Sequence, residues 1–156
     1  MATYTDSIGF NKGTAAFRAD GLTKVTRMEV EMDFAAITAA RSAAGATALA
    51  SGDVIEAIPV PAKSLVLHVG VEVETAGTGS LTLDVGDGAD ADGYLDGIAA
   101  DAVGSFASIH TLSTGATVGL TAGKYYTAAD TIDVTLVGYV PGNLKCRVWA
   151  LVVDAS

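Results

Sequence analysis

Fourteen positions from Asp84 to Gly97, written DVGDGADADGYLDG, hold five of the chain's eighteen acidic residues and separate them with glycines. Carboxylates gathered in this way have three uses. They ligate divalent cations, they work in pairs as acid and base on glycosidic bonds, or they turn the chain in solvent. An EF-hand loop needs an acid at position 1, glycine at 6 and a bidentate acid at 12. With Gly93 at position 6, Asp90 and Asp92 fall at 3 and 5, but Gly88 stands at position 1 and Ala99 at 12. Both ends fail, which leaves a Ca2+ site of another kind, built from Asp87, Asp90, Asp92 and Asp96 with loop carbonyls in this 84–97 acidic loop. Against it stands a solvated turn, since Asp-Gly is a favoured turn pair and occurs here three times. Paired-carboxylate catalysis fits least, because its two acids must be held on rigid elements in a cleft.

No other stretch supplies partners for catalysis. There is no GxSxG elbow for a serine nucleophile. Gly119-Leu-Thr-Ala-Gly123-Lys124-Tyr125 approaches a phosphate loop but is one residue short, with tyrosine where a magnesium-binding Ser or Thr is required. His68 and His110 are the two histidines and form no i,i+4 pair, so a locally built two-histidine zinc site is excluded. Cys146 is the single cysteine; it forms no internal disulfide, and its setting in LKCRVWALVV marks a small buried apolar residue. No residue is assigned a catalytic, cofactor-binding or metal-binding role.

The totals point the same way. A chain of 156 residues fits one domain, and half of it is apolar with 17% charged, which argues against disorder. The net charge of −9 repels phosphate backbones and anionic lipid, so neither nucleic acid nor membrane is an expected partner. No apolar run reaches the ~20 residues of a membrane helix, and MATYTDSIGFNKG lacks the basic and apolar regions of a secretory signal.

The elements that must position these residues are mostly strands. Residues 1–22 have no period of 2 or 3.6 and are read as an extended N-terminal arm, with 23–156 as a single β domain. Met28, Val30, Met32 and Phe34 alternate with Arg27, Glu29, Glu31 and Asp33, which predicts a half-buried strand. Asp33 then caps a short helix, FAAITAARSAAG, with Gly45 at its left-handed exit. In SLVLHVGVEVE the alternation places Leu65, Leu67, Val69, Val71 and Val73 in the core. Ala76-Gly-Thr-Gly79 predicts a hairpin turn into SLTLDVG. Short strands are expected around 105–112, 116–121 and 124–127, and DTIDVTLVG and LKCRVWALVV close the chain, the latter as a central strand. Trp149 is expected in core or interface, and Tyr94, Tyr125, Tyr126 and Tyr139 at loops or strand ends. Seven to nine short strands with one helix predict a mainly β fold: an antiparallel β-sandwich or jelly-roll-like barrel.

The run DVIEAIPVPAKSLVLHVGVEVETAGTGSLTLDVGDGADADGYLDG, followed by GKYYTAADTIDVTL and KCRVWALVVD, resembles small β-rich virion structural proteins of tailed bacteriophages over roughly residues 53–154. The resemblance implies a capsid decoration or cement protein on the virion surface, made in the host cytoplasm, with the major capsid protein and its own copies, as a trimer, for partners. A neck, tail or fibre-associated protein of the same particle is the first alternative; a calcium-assisted carbohydrate-binding module is the second. An enzyme is the least supported class.

Overall fold

The computed structural model describes residues 3–4, 25–108, 117–118 and 123–155. Eleven strands and one helix follow in order: β1 (Thr3–Tyr4), β2 (Val25–Asp33), α1 (Phe34–Ala43), β3 (Val54–Val60), β4 (Ser64–Thr75), β5 (Thr82–Asp87), β6 (Asp90–Ala99), β7 (Phe106–Ser108), β8 (Thr117–Val118), β9 (Lys124–Tyr126), β10 (Asp130–Val137) and β11 (Lys145–Asp154). They form two sheets. One has the order β1-β3-β10-β5-β6-β8, and the other has β2-β11-β4 with β7 and β9 both paired to the far edge of β4.

The pairing is nested. β2 pairs antiparallel with β11, β3 with β10, β4 with β9, and β5 with β6, as in one long hairpin. Rolling that hairpin up brings β11 against β4 and β10 against β5, which closes both sheets. This is a jelly roll, the arrangement expected, and it buries one face of each sheet against the other. Met28, Val30 and Met32 from β2, Val69, Val71 and Val73 from β4, Leu83 and Val85 from β5, and Ile132, Val134 and Leu136 from β10 are all in the shared core.

β2 alternates as its sequence predicts. The helix also forms where it should: Asp33 accepts from the Ala36 N–H at 3.1 Å, and Gly45, at φ +67°, ends it with its N–H on the Ser42 carbonyl. Phe34, though, opens the helix rather than ending the strand.

Two expectations are corrected. β4 does not keep one alternation, because its register against β11 shifts where Leu151 pairs with His68 and Val152 with Val66. Leu67 is the extra residue of a β-bulge, and one inserted residue exchanges the two faces. Val66 is therefore buried, whereas Leu65 is half-exposed and Leu67 is 36% exposed. The hairpin expected at 76–79 is absent too. β4 and β5 lie in different sheets, and the turn carries the chain across the sandwich.

The expected β11 is central, between β2 and β4. The short strands β7, β8 and β9 fall inside the three expected segments; 109–116 and 119–122 lie outside the described residues. So does nearly all of the arm, 5–22, while Thr3–Tyr4 pairs in parallel with Val54–Ile55 of β3.

Candidate functional site

The acidic stretch is not a loop. It is the end of β5 and most of β6, joined at Gly88 and Ala89, with Asp87 paired to Asp90. The Asp87 side chain makes the turn: its Oδ1 accepts from the N–H groups of Ala89 at 3.0 Å and Asp90 at 3.2 Å. Beyond the turn β6 carries more residues than β5 between matched pairs, since Val85 pairs with Leu95 while Asp87 pairs with Asp90. The bulged backbone folds over Gly86, where a Cβ would sit 1.9 Å from the Asp90 carbonyl oxygen. Only glycine fits there. A second bulge near Gly97, at φ +71°, turns its N–H to Asp84 Oδ1 at 2.9 Å.

These bulges turn Asp87 away from the other acids, while Asp96 and Asp92 stay near Asp84; burial and those two neighbours raise the Asp84 carboxyl. Asp87 turns inward and is 4% exposed, while Asp90, Asp92 and Asp96 are exposed. Among the described residues no three acidic, histidine or cysteine side chains converge as a metal-binding group. The four aspartates considered for Ca2+ are thus not brought together.

What Asp87 does meet is a lysine and two tyrosines. The Lys124 ammonium pairs with its Oδ2, and the Tyr126 hydroxyl donates to the same oxygen at 2.5 Å. The Tyr94 hydroxyl lies 2.6 Å from that of Tyr126. Lys124 also lies over the Tyr126 ring, 5.2 Å from its centroid. The cluster takes Asp87 from β5, Tyr94 from β6, and Lys124 and Tyr126 from β9, so it ties one sheet to the other at one end of the sandwich. Burial pushes the Asp87 carboxyl up, but the Lys124, Tyr126 and Ala89 hydrogen bonds outweigh it and hold the group below the usual carboxylate range. Burial raises both phenols well above their ordinary values, so they stay protonated and serve as donors.

Sequence reasoning placed these tyrosines at loops or strand ends. Tyr126 does end β9, while Tyr94 lies within β6; both are buried, at 1% for Tyr94 and 5% for Tyr126, and Tyr125 and Tyr139 are exposed. The cluster was missed because its three strands are joined by segments that give no local sign of convergence. The one available signal was Lys124 between Gly123 and two tyrosines. That lysine starts a strand, not a helix, which removes the likeness to a phosphate loop.

Behind the Asp87 end, Asp133 is 4% exposed and accepts from Thr131 Oγ1 at 2.6 Å. Burial lifts its carboxyl to about 6, with Glu56, Asp130 and Asp87 adding to the rise. Cys146 is fully enclosed and its thiol is pushed up to about 12, the inert setting expected of it. His68 packs against Trp149 with ring centroids 4.9 Å apart and planes tilted by 42°, and His110 lies outside the described residues. The Trp149 indole lies flat on Gly70, where a Cβ would come within 2.5 Å of the ring. At the other end of the sandwich an open groove of ≈ 550 Å³ runs between α1 and the turn before β11, lined by Ala35, Thr38, Ala39, Ser42, Val140 and Pro141. It holds no titratable group. The chemistry of the Asp87 cluster is therefore that of a structural pin: its one acid is already paired with Lys124 and Tyr126.

No protein-family model matches the sequence, and no curated protein matches it. Solved structures do. A chain of the cyanophage Pam1 capsid asymmetric unit matches with a TM-score of 0.58 and 18% identity, over 90% of this chain and 91% of that one. A chain of the acidic stable capsid structure of Helicobacter pylori bacteriophage KHP30 matches with a TM-score of 0.56 and 13% identity, over 85% and 89%. At these identities the likeness is one of fold, and it runs through both sheets.

Proposed function

We propose that this chain is a bacteriophage virion structural protein, and more narrowly a capsid decoration or cement protein that binds the head surface and stabilises the lattice. The observation that carries the reading is the jelly roll shared, over about nine-tenths of both chains, with a chain of the Pam1 capsid. The resemblance noted in the sequence supports the same class independently. The site geometry agrees, because the most chemical-looking cluster, Asp87 with Lys124, Tyr126 and Tyr94, holds two sheets together. A protein whose work is mechanical needs such pins more than it needs a reactive group.

In this reading the partners are the major capsid protein and further copies of the chain, as a trimer, with no role for nucleic acid or membrane. Residues 1–22 act as an arm toward a neighbouring subunit, and 23–156 as the body. Even a few anchored side chains such as Phe10 and Phe17 contribute on the order of several kcal/mol before ordering costs, and repetition over a lattice multiplies the effect. The carbohydrate-binding alternative is weakened, since Tyr94 and Tyr126 are enclosed and offer no ring face to a sugar.

Electron microscopy of the source particle, with the copy number of this chain measured against the major capsid protein, tests the proposal. Near-equal abundance and density on the head are expected. Density restricted to a ring at the neck or to the tail would replace the cement reading with the neck, tail or fibre one, and absence from the particle would overturn both.

A further inference from the structure

The outer face of the six-stranded sheet carries charge of one sign. Glu56 of β3 pairs across from Asp133 of β10, and Asp84 of β5 lies beside Thr135 of β10, all on the side away from the core. Asp92 and Asp96 of β6 are exposed and stand near enough to Asp84 to help raise its carboxyl. None of the described lysines or arginines lies on a strand of that sheet. The outer face of the β2-β11-β4 sheet also has more acids than bases, but there each base stands against an acid: Arg27 pairs with Glu29 at 2.8 Å, Lys145 with Asp33 at 2.6 Å, and Arg147 with Glu74 at 2.5 Å.

Thr135 singles out the six-stranded sheet a second time. It sits in the middle of the acid face, with Val54 across from it on one side and Asp84 on the other. Val134 and Leu136, before and after it, are both in the core, so its side chain is aimed outward into that face. It is only 7% exposed, and its Oγ1 has no hydrogen-bond partner. Buried polar groups are nearly always paired, so this hydroxyl has a bond left to offer. The charges that act most on Asp84 and Asp133, after burial, are likewise those of other acids. Carboxylates crowded in this way repel one another until a partner brings positive charge.

We infer that the outer face of β3, β10, β5 and β6 docks on a lysine- and arginine-bearing protein surface, and that in the particle this surface belongs to the head. The inference rests on the cement reading and names the face that makes the contact. Charge selects the occupant. A second copy at net −9, a nucleic acid and an anionic membrane are all repelled by a face of carboxylates. Ammonium and guanidinium groups instead gain charge-assisted hydrogen bonds from Asp84, Glu56 and Asp96, and have a donor for Thr135 Oγ1. Among the described residues no three acids converge on one point, so the carboxylates are spread for several cationic side chains and not for one metal ion.

The test is cosedimentation of the full chain with heads of the source particle stripped of it, in salt from about 0.05 to 0.5 M. Wild type is compared with Glu56→Lys/Asp96→Lys and with Glu72→Lys, an exposed position on the other sheet. Glu56 is half-buried and Asp96 exposed, so the fold is expected to survive, and a thermal melt checks that it does. If it does not, Asp92→Lys/Asp96→Lys, at two exposed positions, replaces the pair. The expected result is that wild type and Glu72→Lys bind alike and more weakly as salt rises, with the face variant at least about tenfold weaker. Equal binding by the face variant, or wild-type binding indifferent to salt, overturns the inference and leaves the virion role standing. A wild type that does not bind the heads overturns the role and the inference with it. The chain's own Lys12 and Arg18 are the rival occupant, read out by Lys12→Glu/Arg18→Glu. If that variant and the face variant each lower the melting temperature and their combination restores it, the face belongs to the arm and the inference fails.

Discussion

The Tyr126 hydroxyl donates to Oδ2 of Asp87 at 2.5 Å, and the bond joins β9 of one sheet to β5 of the other. Neither residue is more than 5% exposed. Removing the acceptor leaves a buried phenol without its acceptor and a part-exposed ammonium without its charge partner. Asp87→Ala is expected to cost about 2–4 kcal/mol, and Tyr126→Phe about 1–2 kcal/mol. Denaturant unfolding of both single variants and of the double variant should give a coupling energy well above zero. Additive losses would mean that the bond does not hold the sheets.

The same pair contributes to the acid limit of the fold. The folded-state pKa of Asp87 lies below its ordinary value of 3.8, so its contribution is complete above that value and is lost as pH falls through the lower one. A pH series of melting temperatures should show the wild type losing stability below about pH 4. Asp87→Asn, already weaker at neutral pH, should lose less over that range.

Much of the fold was legible because alternation is a local property. β2 and β10 show it plainly, β11 was legible from its apolar run instead, and the Asp33 cap and Gly45 exit bracket the helix within one window of sequence. What was not legible depends on a neighbouring strand. The bulge at Leu67 exists only in relation to β11, and it reversed the inside and outside of the first four residues of β4. The Asp87 cluster likewise needs the nested pairing that brings Lys124 and Tyr126 back to a turn 37 and 39 residues earlier. An acidic, glycine-rich wording reads as a loop when its glycines are taken for turns. Gly86 is instead a contact point.

Gly86 and Gly88 therefore separate two roles of glycine within one hairpin. A Cβ at Gly86 meets backbone at 1.9 Å, which no rotamer change relieves; at Gly88 it meets the Asp130 carboxylate at 3.2 Å, the end of a side chain that can move. Gly86→Ala is expected to lose more than ~3 kcal/mol or to fail to fold, whereas Gly88→Ala should stay within about 1 kcal/mol of wild type. Chemical denaturation distinguishes them, and equal tolerance of both would contradict the bulged path of β6.

Asp133 should act in the opposite sense to Asp87. Its folded pKa of about 6 lies above 3.8, so its charged form opposes folding. Stability from this group rises as pH falls from above 6 toward 4 and is constant below. Asp133→Asn removes the charge and should stabilise the protein at pH 8 by on the order of 2 kcal/mol, with no gain left at pH 4. A gain independent of pH would point to packing instead.

Calcium should leave the melting temperature unchanged, and so should a chelator. Asp87, the best-enclosed acid of the stretch, already has Lys124, Tyr126 and two backbone N–H groups on its oxygens, and a cation would have to displace the lysine to reach it. Asp84 is engaged by the Gly97 N–H. The remaining carboxylates, Asp90, Asp92 and Asp96, are exposed, where water screens them. Melting curves in millimolar Ca2+ and in chelator, for wild type and for Asp92→Asn/Asp96→Asn, check this. A rise with calcium that the double variant abolishes would restore a cation to this hairpin.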